Sequence, residues 1–326
     1  MNEQWKQAGC IAEPAPEGID LKTEIRKMCA EKRAVIMAHY YTPADVQDAA
    51  DFIGDSLALA RKAAQTDADV IVMCGVHFMA ETCKLLCPAK TVLCPDLNAG
   101  CSLADSCRAE DLARLKAQHP GCTVVSYVNT TAAVKALTDV VVTSGNAERV
   151  VSKLPKDAQI IFGPDYNLGN YINHATGRQM LLWQGGCHVH ERFTADAIAD
   201  LKARHPEAVV MAHLECRADV LALADVKGST ATMLDYATQH PDRTYIVATE
   251  AGILYEMRRR CPDTEFIPVP PASQSSPSPC NECEHMKLNT LLKLYNTLKY
   301  GWPEVTVPSD IAAAAVKPIE RMLELS

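Results

Sequence analysis

The chain repeats itself, and that repeat limits its fold more than any other feature. AVIMAHYY at 34–41, CTVVSYVNT at 122–130 and AVVMAHLEC at 208–216 each read as a buried strand ending in polar aromatics, amides or acids. Their strand-end residues His39, Tyr127 and His213 are 88 and 86 positions apart. Two upstream helices share nearly the same wording, DLARLKAQHP at 111–120 and AIADLKARHP at 197–206. Each first strand leads through a helix to a second apolar strand: DVIVMCG at 69–75, DVVVTSG at 139–145 and TYIVATEAG at 244–252. A further helix leads to KTVLCPD at 90–96, AQIIFGPD at 158–165 and TEFIPVP at 264–270. Continuous Val/Ile/Leu runs alternating with helices are the signature of parallel sheets covered on both faces. The expected fold is therefore α/β, with three similar small parallel-sheet domains in a pseudo-threefold arrangement around a central active site. Ligands collect at the C-terminal ends of such strands, which makes the polar strand endings the expected site lining.

The repeat divides the chain into an N-terminal extension (1–20), three α/β domains (21–108, 109–193 and 194–285) and a C-terminal helical segment (286–326) packing back on the domains. The third domain includes a Pro/Ser-rich stretch, PVPPASQSSPSP at 268–279, that delivers the chain to CNEC at 280–283. Its place before a cysteine pair favours a segment that wraps the active site over a free loop.

Charge and hydropathy exclude several partners. A formal net charge of -8 does not suit nucleic acid, whose phosphates call for a concentrated basic surface. No apolar run approaches the roughly 18–20 residues a membrane span requires. The polar, proline-containing start lacks a hydrophobic signal core, so a cytoplasmic location is expected. There the 14 cysteines are not a disulfide framework. Cys29, Cys74, Cys94 and Cys122 read as small buried hydrophobes, and Cys83 and Cys87 as a helical core stripe.

Other cysteines stand in turn-like settings after each unit: Cys101 in NAGCSLAD, Cys187 in QGGCHVH, and Cys280 and Cys283 in CNEC. The 101-to-187 interval of 86 matches the repeat, and the 187-to-283 interval of 96 includes the proline-rich insertion. Separated thiols of this kind are unlike the close Cys and His pairs of zinc sites, and unlike the four thiolates of a fully ligated cluster. Three distributed thiolates suit a cluster with one iron open to substrate. Cys280 is close enough to Cys283 to form a disulfide or to replace it as a ligand, and a helix starting at 286 favours Cys283. His190 is placed to donate a hydrogen bond to substrate or cluster, while His188 reads equally well as a solvent-facing histidine.

Further candidates come from the strand ends and helix starts. Glu215, in HLE, is the leading general acid or base, the alternative being a half-buried paired carboxylate. His39 and Tyr41 stand two apart and share a face if the strand persists. Tyr127 and Asn129 repeat that relation, and His213 completes the third face. Ser56, Ser144, Ser229 and Thr230 lie near helix starts, where single hydroxyls usually cap helices but three facing sets suit one anion. No GxGxxG or GxxxxGK[ST] sequence occurs, so no dinucleotide or nucleoside triphosphate site is indicated.

Over nearly its whole length the chain resembles the quinolinate synthase family. The resemblance rests on MAHYY, GDSLALA, CGVHFMAET, PDLNAGCSLAD, SYVNT, TSGNA, WQGGCHVH, MAHLEC, GST, ATEAG and CNECEHMKLNTL, in that order. It implies three analogous α/β domains in a triangle and a [4Fe–4S] cluster with three cysteine ligands, Cys101, Cys187 and Cys283, and one open iron. The last ligand is identified by its C-x-x-M spacing to Met286. It implies that iminoaspartate condenses with dihydroxyacetone phosphate to give quinolinate, phosphate and water in NAD biosynthesis. It also implies that Glu215 approaches the open iron, that Tyr41 assists isomerisation and ring closure, and that His39 orients substrate or relays protons. Tyr127 and Asn129 look like binders of the substrate dicarboxylate, and the hydroxyls lie around phosphate and carboxylates. The implied protein partners are transient ones, the iminoaspartate-producing enzyme and the cluster-assembly machinery. A different hydro-lyase or aldolase would keep the metal and strand-end acids with another carbon skeleton. A redox carrier would gain nothing from an open iron.

Overall fold

The computed structural model describes residues 3–272 and 281–326. Cys280, with its proposed disulfide or ligand role, and most of the Pro/Ser-rich stretch lie outside the described residues.

Three four-stranded, all-parallel sheets form the frame. The first contains β1 (Ala34–His39), β2 (Phe52–Gly54), β3 (Val70–Cys74) and β4 (Thr91–Leu93). The second contains β5 (Thr123–Tyr127), β6 (Val140–Val142), β7 (Ile160–Gly163) and β8 (Leu181–Leu182), and the third β9 (Val209–His213), β10 (Val226–Gly228), β11 (Tyr245–Ala248) and β12 (Phe266–Pro268). Every sheet has the same order, second–first–third–fourth strand. The expected triplicated α/β architecture is what the chain adopts. Helices flank the sheets, so β1, β5, β9 and their central neighbours are buried on both faces, which explains their unbroken apolar sequences.

The strand matching needs correction. Three strands per unit were expected, but there are four, and DVVVTSG is not the counterpart of DVIVMCG. It forms β6, the second strand of its sheet, equivalent to the three-residue strands β2 and β10. The equivalence is fixed by an aspartate at the start of each second strand. Asp51, Asp139 and Asp225 accept from the backbone N–H of Ile36, Val124 and Val210 at 2.8, 2.7 and 2.9 Å. Their own N–H groups donate back to the carbonyls of the same residues at 2.9 Å in every case. This reciprocal pair sets the register of the second strand on the first.

Three smaller expectations also change. Cys122 is partly exposed at the turn before β5, whereas Cys29, Cys74, Cys83, Cys87 and Cys94 are buried. The helix after CNEC begins at Glu284, not at 286. The first strands do not persist past His39, Tyr127 and His213; the residues two further on enter turns.

Near the C-terminus, the helix Leu291–Tyr300 packs on the helix Leu21–Lys32, and the helix Ser309–Leu325 packs on β6 and on Ala132–Lys135. No helix among the described residues is long and apolar enough to cross a membrane.

Candidate active site

The strand ends of all three sheets line one cavity, and successive strands supply successive sets of groups. Aligning the aspartate pairs makes His39, Tyr127 and His213 equivalent, and likewise Tyr41, Asn129 and Glu215. All six line the cavity. The turn that follows each histidine is closed by its own ring: Tyr41 N–H donates to His39 Nδ1 at 3.2 Å and Glu215 N–H to His213 Nδ1 at 3.3 Å. Nδ1 is thereby an acceptor in both, leaving Nε2 as the protonated nitrogen. Burial lowers the pKa of His39 to about 3 and that of His213 to about 4, against opposing pull from Glu215. Both rings are neutral donors at pH 7.

Glu215 is 4% exposed and accepts a short hydrogen bond from the Tyr127 hydroxyl. His190 Nδ1 stands 2.9 Å from its other oxygen, off line for a hydrogen bond, and His213 Nδ1 is 3.9 Å away. Burial alone would raise the Glu215 pKa, but these neighbours outweigh it and hold the carboxyl below its usual range. Thr249 bridges two cavity-lining residues: its hydroxyl lies 2.8 Å from the Tyr41 hydroxyl and 3.0 Å from His190 Nε2. Asn129 Oδ1 is buried and has no hydrogen-bond partner among the described residues.

The second strands bring hydroxyls. Ser56, Ser144 and Thr230 occupy equivalent positions, and all three line the cavity. They are free to do so because another residue caps the helix in two of the units: Asp55 accepts from Ala58 N–H at 2.9 Å and Ser229 from Thr232 N–H at 3.2 Å. Ser229 is consequently spent on its helix and is not among the cavity-lining residues.

The fourth strands lead to Cys101, Cys187 and Cys283, which also line the cavity. Each opens a helical turn in the same way, its carbonyl accepting from the N–H four residues on: Asp105 at 2.9 Å, Glu191 at 3.0 Å and Lys287 at 3.2 Å. Each sulfur faces the N–H three residues on, of Ala104, His190 and Met286. Such amides favour a thiolate, but burial dominates and pushes Cys101 up to about 11, Cys283 up to about 12, and Cys187 well above its ordinary value. Three desolvated thiols aimed at one space, each with amides ready to receive negative charge, fit a cationic metal group that replaces their protons. In addition, ligand atoms of Cys187, His190 and Glu215 lie within 4.8 Å of one another, a candidate metal-binding group.

The sequence reading missed the supports of the third strands. Glu250 is wholly buried and accepts from Cys283 N–H at 3.0 Å, Gly252 N–H at 2.6 Å and Lys287 Nζ at 2.8 Å. Lys287 also donates to the Tyr41 carbonyl at 2.7 Å, tying the third cysteine to the first sheet. A Cβ on Gly252 would come within 2.8 Å of Lys287 Nζ and of Tyr41 Cα, so the crossing admits only glycine. Asp165, the equivalent of Glu250, is also wholly buried. It caps its helix through Leu168 N–H at 2.6 Å, and the Cys187 N–H faces the same carboxylate without a well-aligned bond. In the first sheet Val76 takes this position. The local signal for Glu250 was visible in ATEAG, but nothing in the sequence paired it with CNEC.

Lys135 was missed as well. Its ammonium is wholly buried and donates to the carbonyls of Val128, at 2.8 Å, and Thr130, bracing the turn that carries Asn129. Burial lowers its pKa to about 7, with Glu81 and Cys101 opposing. The folded value lies below the unfolded one, so the folded chain binds fewer protons above about pH 7, and stability from this residue rises with pH there. Compared with Lys135→Met, the parent should gain up to about 1.4 kcal/mol per pH unit between pH 7 and 9. Urea unfolding of both proteins across that range measures it; a constant difference would mean that the lysine stays charged.

Sequence comparisons agree with this geometry. The family model described as "Quinolinate synthetase A protein" matches residues 23–324. The chain is 53% identical over 307 residues to the quinolinate synthase of Rippkaea orientalis, covering 94% of each chain. It is 53% identical over 308 residues to that of Chloroherpeton thalassium, covering 94% of this chain and 95% of the relative. With that of Thermosynechococcus vestitus it shares 52% over 317 residues, 97% of this chain and 99% of the relative.

Proposed function

Because the chain belongs to the quinolinate synthase family, we propose that it works through a [4Fe–4S] cluster held by Cys101, Cys187 and Cys283. It is a transferase that condenses iminoaspartate with dihydroxyacetone phosphate and releases quinolinate, phosphate and water, a step of NAD biosynthesis. The observation that carries the cluster reading is the identical setting of the three thiols, one from each unit, on a single cavity. When bound, the cluster supplies an open iron, a Lewis acid for the removal of hydroxyl groups.

The remaining chemistry falls to the side chains. Ser56, Ser144 and Thr230 offer three hydroxyl donors to the phosphate or a substrate carboxylate, and Asn129 offers its amide to the dicarboxylate. His39 and His213 donate from Nε2 and orient carbonyl and carboxylate oxygens. Glu215, ionised and fed by Tyr127, takes a proton from carbon or nitrogen and returns it to a leaving oxygen. Tyr41, His190 and Thr249 form a second proton path beside it, suited to the keto–enol and ring-closing steps. Burial of these groups excludes water that would hydrolyse the imine. The small-molecule substrates need no further partner; contacts with the iminoaspartate-producing enzyme and with cluster assembly would be transient.

The test is direct. Protein purified without oxygen should contain about four irons and four sulfides per chain, and form quinolinate from the two substrates. Product without iron would defeat the cluster reading, and a cluster without quinolinate would defeat the assigned reaction.

A further inference from the structure

The residues that immediately follow the three cysteines are Ser102, His188 and Glu284, and they bond to one another. His188 N–H donates to Ser102 Oγ at 3.2 Å, and His188 Nδ1 lies 3.1 Å from the same hydroxyl. On its far side His188 Nε2 lies 2.9 Å from Glu284 Oε2. One tautomer satisfies the chain of contacts: Nε2–H donates to the carboxylate, and Nδ1 accepts from the serine hydroxyl. The His285 ring meets His188 edge-on, with centroids 5.7 Å apart, and lies 3.7 Å from where a Cβ on Gly100 would stand. The belt therefore spans all three units, at equivalent positions, with the Glu284 end open to solvent.

We propose that Ser102, His188 and Glu284 form a belt of positioning residues that locks the three cysteine loops together and controls release of the metal group. This rests on the cluster reading above. Other contacts tie each loop to one neighbour: Trp183 Nε1 donates to the Ser106 carbonyl at 3.1 Å, His190 Nε2 lies 3.0 Å from the Thr249 hydroxyl, and Lys287 joins Glu250 to the Tyr41 carbonyl. The Ser102–His188–Glu284 chain joins all three loops at once. A three-iron-point ligand set drawn from three units loses its geometry if any loop swings outward, and outer-sphere contacts of this kind govern metal retention. A surface histidine–carboxylate contact adds little to global stability, so its effect falls on local opening. His188 is the central member, since it makes both contacts.

The test uses Ser102→Ala, His188→Ala, Glu284→Ala and the double variant Ser102→Ala/Glu284→Ala. With loaded protein under anaerobic conditions, transfer of iron to a ferrous chelator should accelerate about tenfold in His188→Ala. The double variant should match it, and Ser102→Ala added to His188→Ala should add nothing. Quinolinate turnover per bound cluster and the unfolding midpoint should stay near those of the parent. In metal-free protein, alkylation of Cys187 and Cys283 should quicken in the same variants while that of buried Cys87 does not. Unchanged alkylation overturns the belt whatever the metal does. Failure of the parent to bind iron instead counts against the cluster reading and leaves the alkylation result decisive.

Discussion

Glu215→Gln should leave fold and iron content intact and lower quinolinate formation by about 10²–10⁴-fold, the usual worth of a positioned acid–base group. The substitution is nearly isosteric, and its amide oxygen still accepts from the Tyr127 hydroxyl, so the packing of the three strand ends is retained. What is lost is the ability to take a proton. The carboxylate is 4% exposed, which leaves no bulk water to substitute for it, and His39 and His213 are neutral donors that cannot act as strong bases from Nε2–H. The loss should appear in kcat more than in KM, because dicarboxylate and phosphate contacts lie elsewhere. Turnover within threefold of the parent, in protein with a full complement of iron, would remove Glu215 from proton transfer.

Replacing any one of Cys101, Cys187 or Cys283 by alanine should abolish both stable cluster binding and quinolinate formation, whereas Cys87→Ala should retain them. The three thiols share one construction: a sulfur over its own helical turn, beside the same cavity. Removing one leaves two thiolates on a group that needs three, and among the described residues no other cysteine lines the cavity. Cys87 is buried and donates to the Ala63 carbonyl at 3.0 Å, away from the site, so its loss costs packing alone. Iron and sulfide per chain, with the visible absorption of the cluster, measure the result. A normal cluster in any of the three variants would strike that residue from the ligand set. Such variants should remain folded, since each cysteine contributes only part of a loop to the core.

The legible part of the site was its periodic part. His39, Tyr127 and His213 stood at nearly equal spacing after long apolar strands, and Cys101 and Cys187 repeated that spacing. Glu215 could be singled out because it closely followed such a strand. The hydroxyls were harder. Ser229 and Thr230 are adjacent in sequence, and only the helix geometry shows that the first caps while the second faces the cavity. The relation of Tyr41 to Asn129 was legible as an i,i+2 repeat, but Glu215 was not recognised as its third member, because these residues enter through turns after the strands end, turns closed on the preceding histidine ring in two of the units.

What the sequence by itself determined was the presence of three α/β units, their parallel strands and one turn cysteine after each. These follow from local physics: runs of Val, Ile and Leu demand burial on both faces, and cysteines after glycines, as at Cys101 and Cys187, or after a proline-rich stretch, as at Cys283, stand in loops. What only the tertiary structure decided was which strand is which, and what stands behind the ligands. β2 and β10 are three residues long, too short for a hydrophobic pattern, and their identity comes from the reciprocal bonds of Asp51 and Asp225 to first strands 15 positions earlier. Glu250 reaches Cys283 across 33 positions, and Lys287 reaches Tyr41 across 246. Such contacts leave no periodic trace, because a single carboxylate or ammonium in a turn has many conformations available. It acquires one partner only when packing removes water and leaves that partner as its sole compensation for burial.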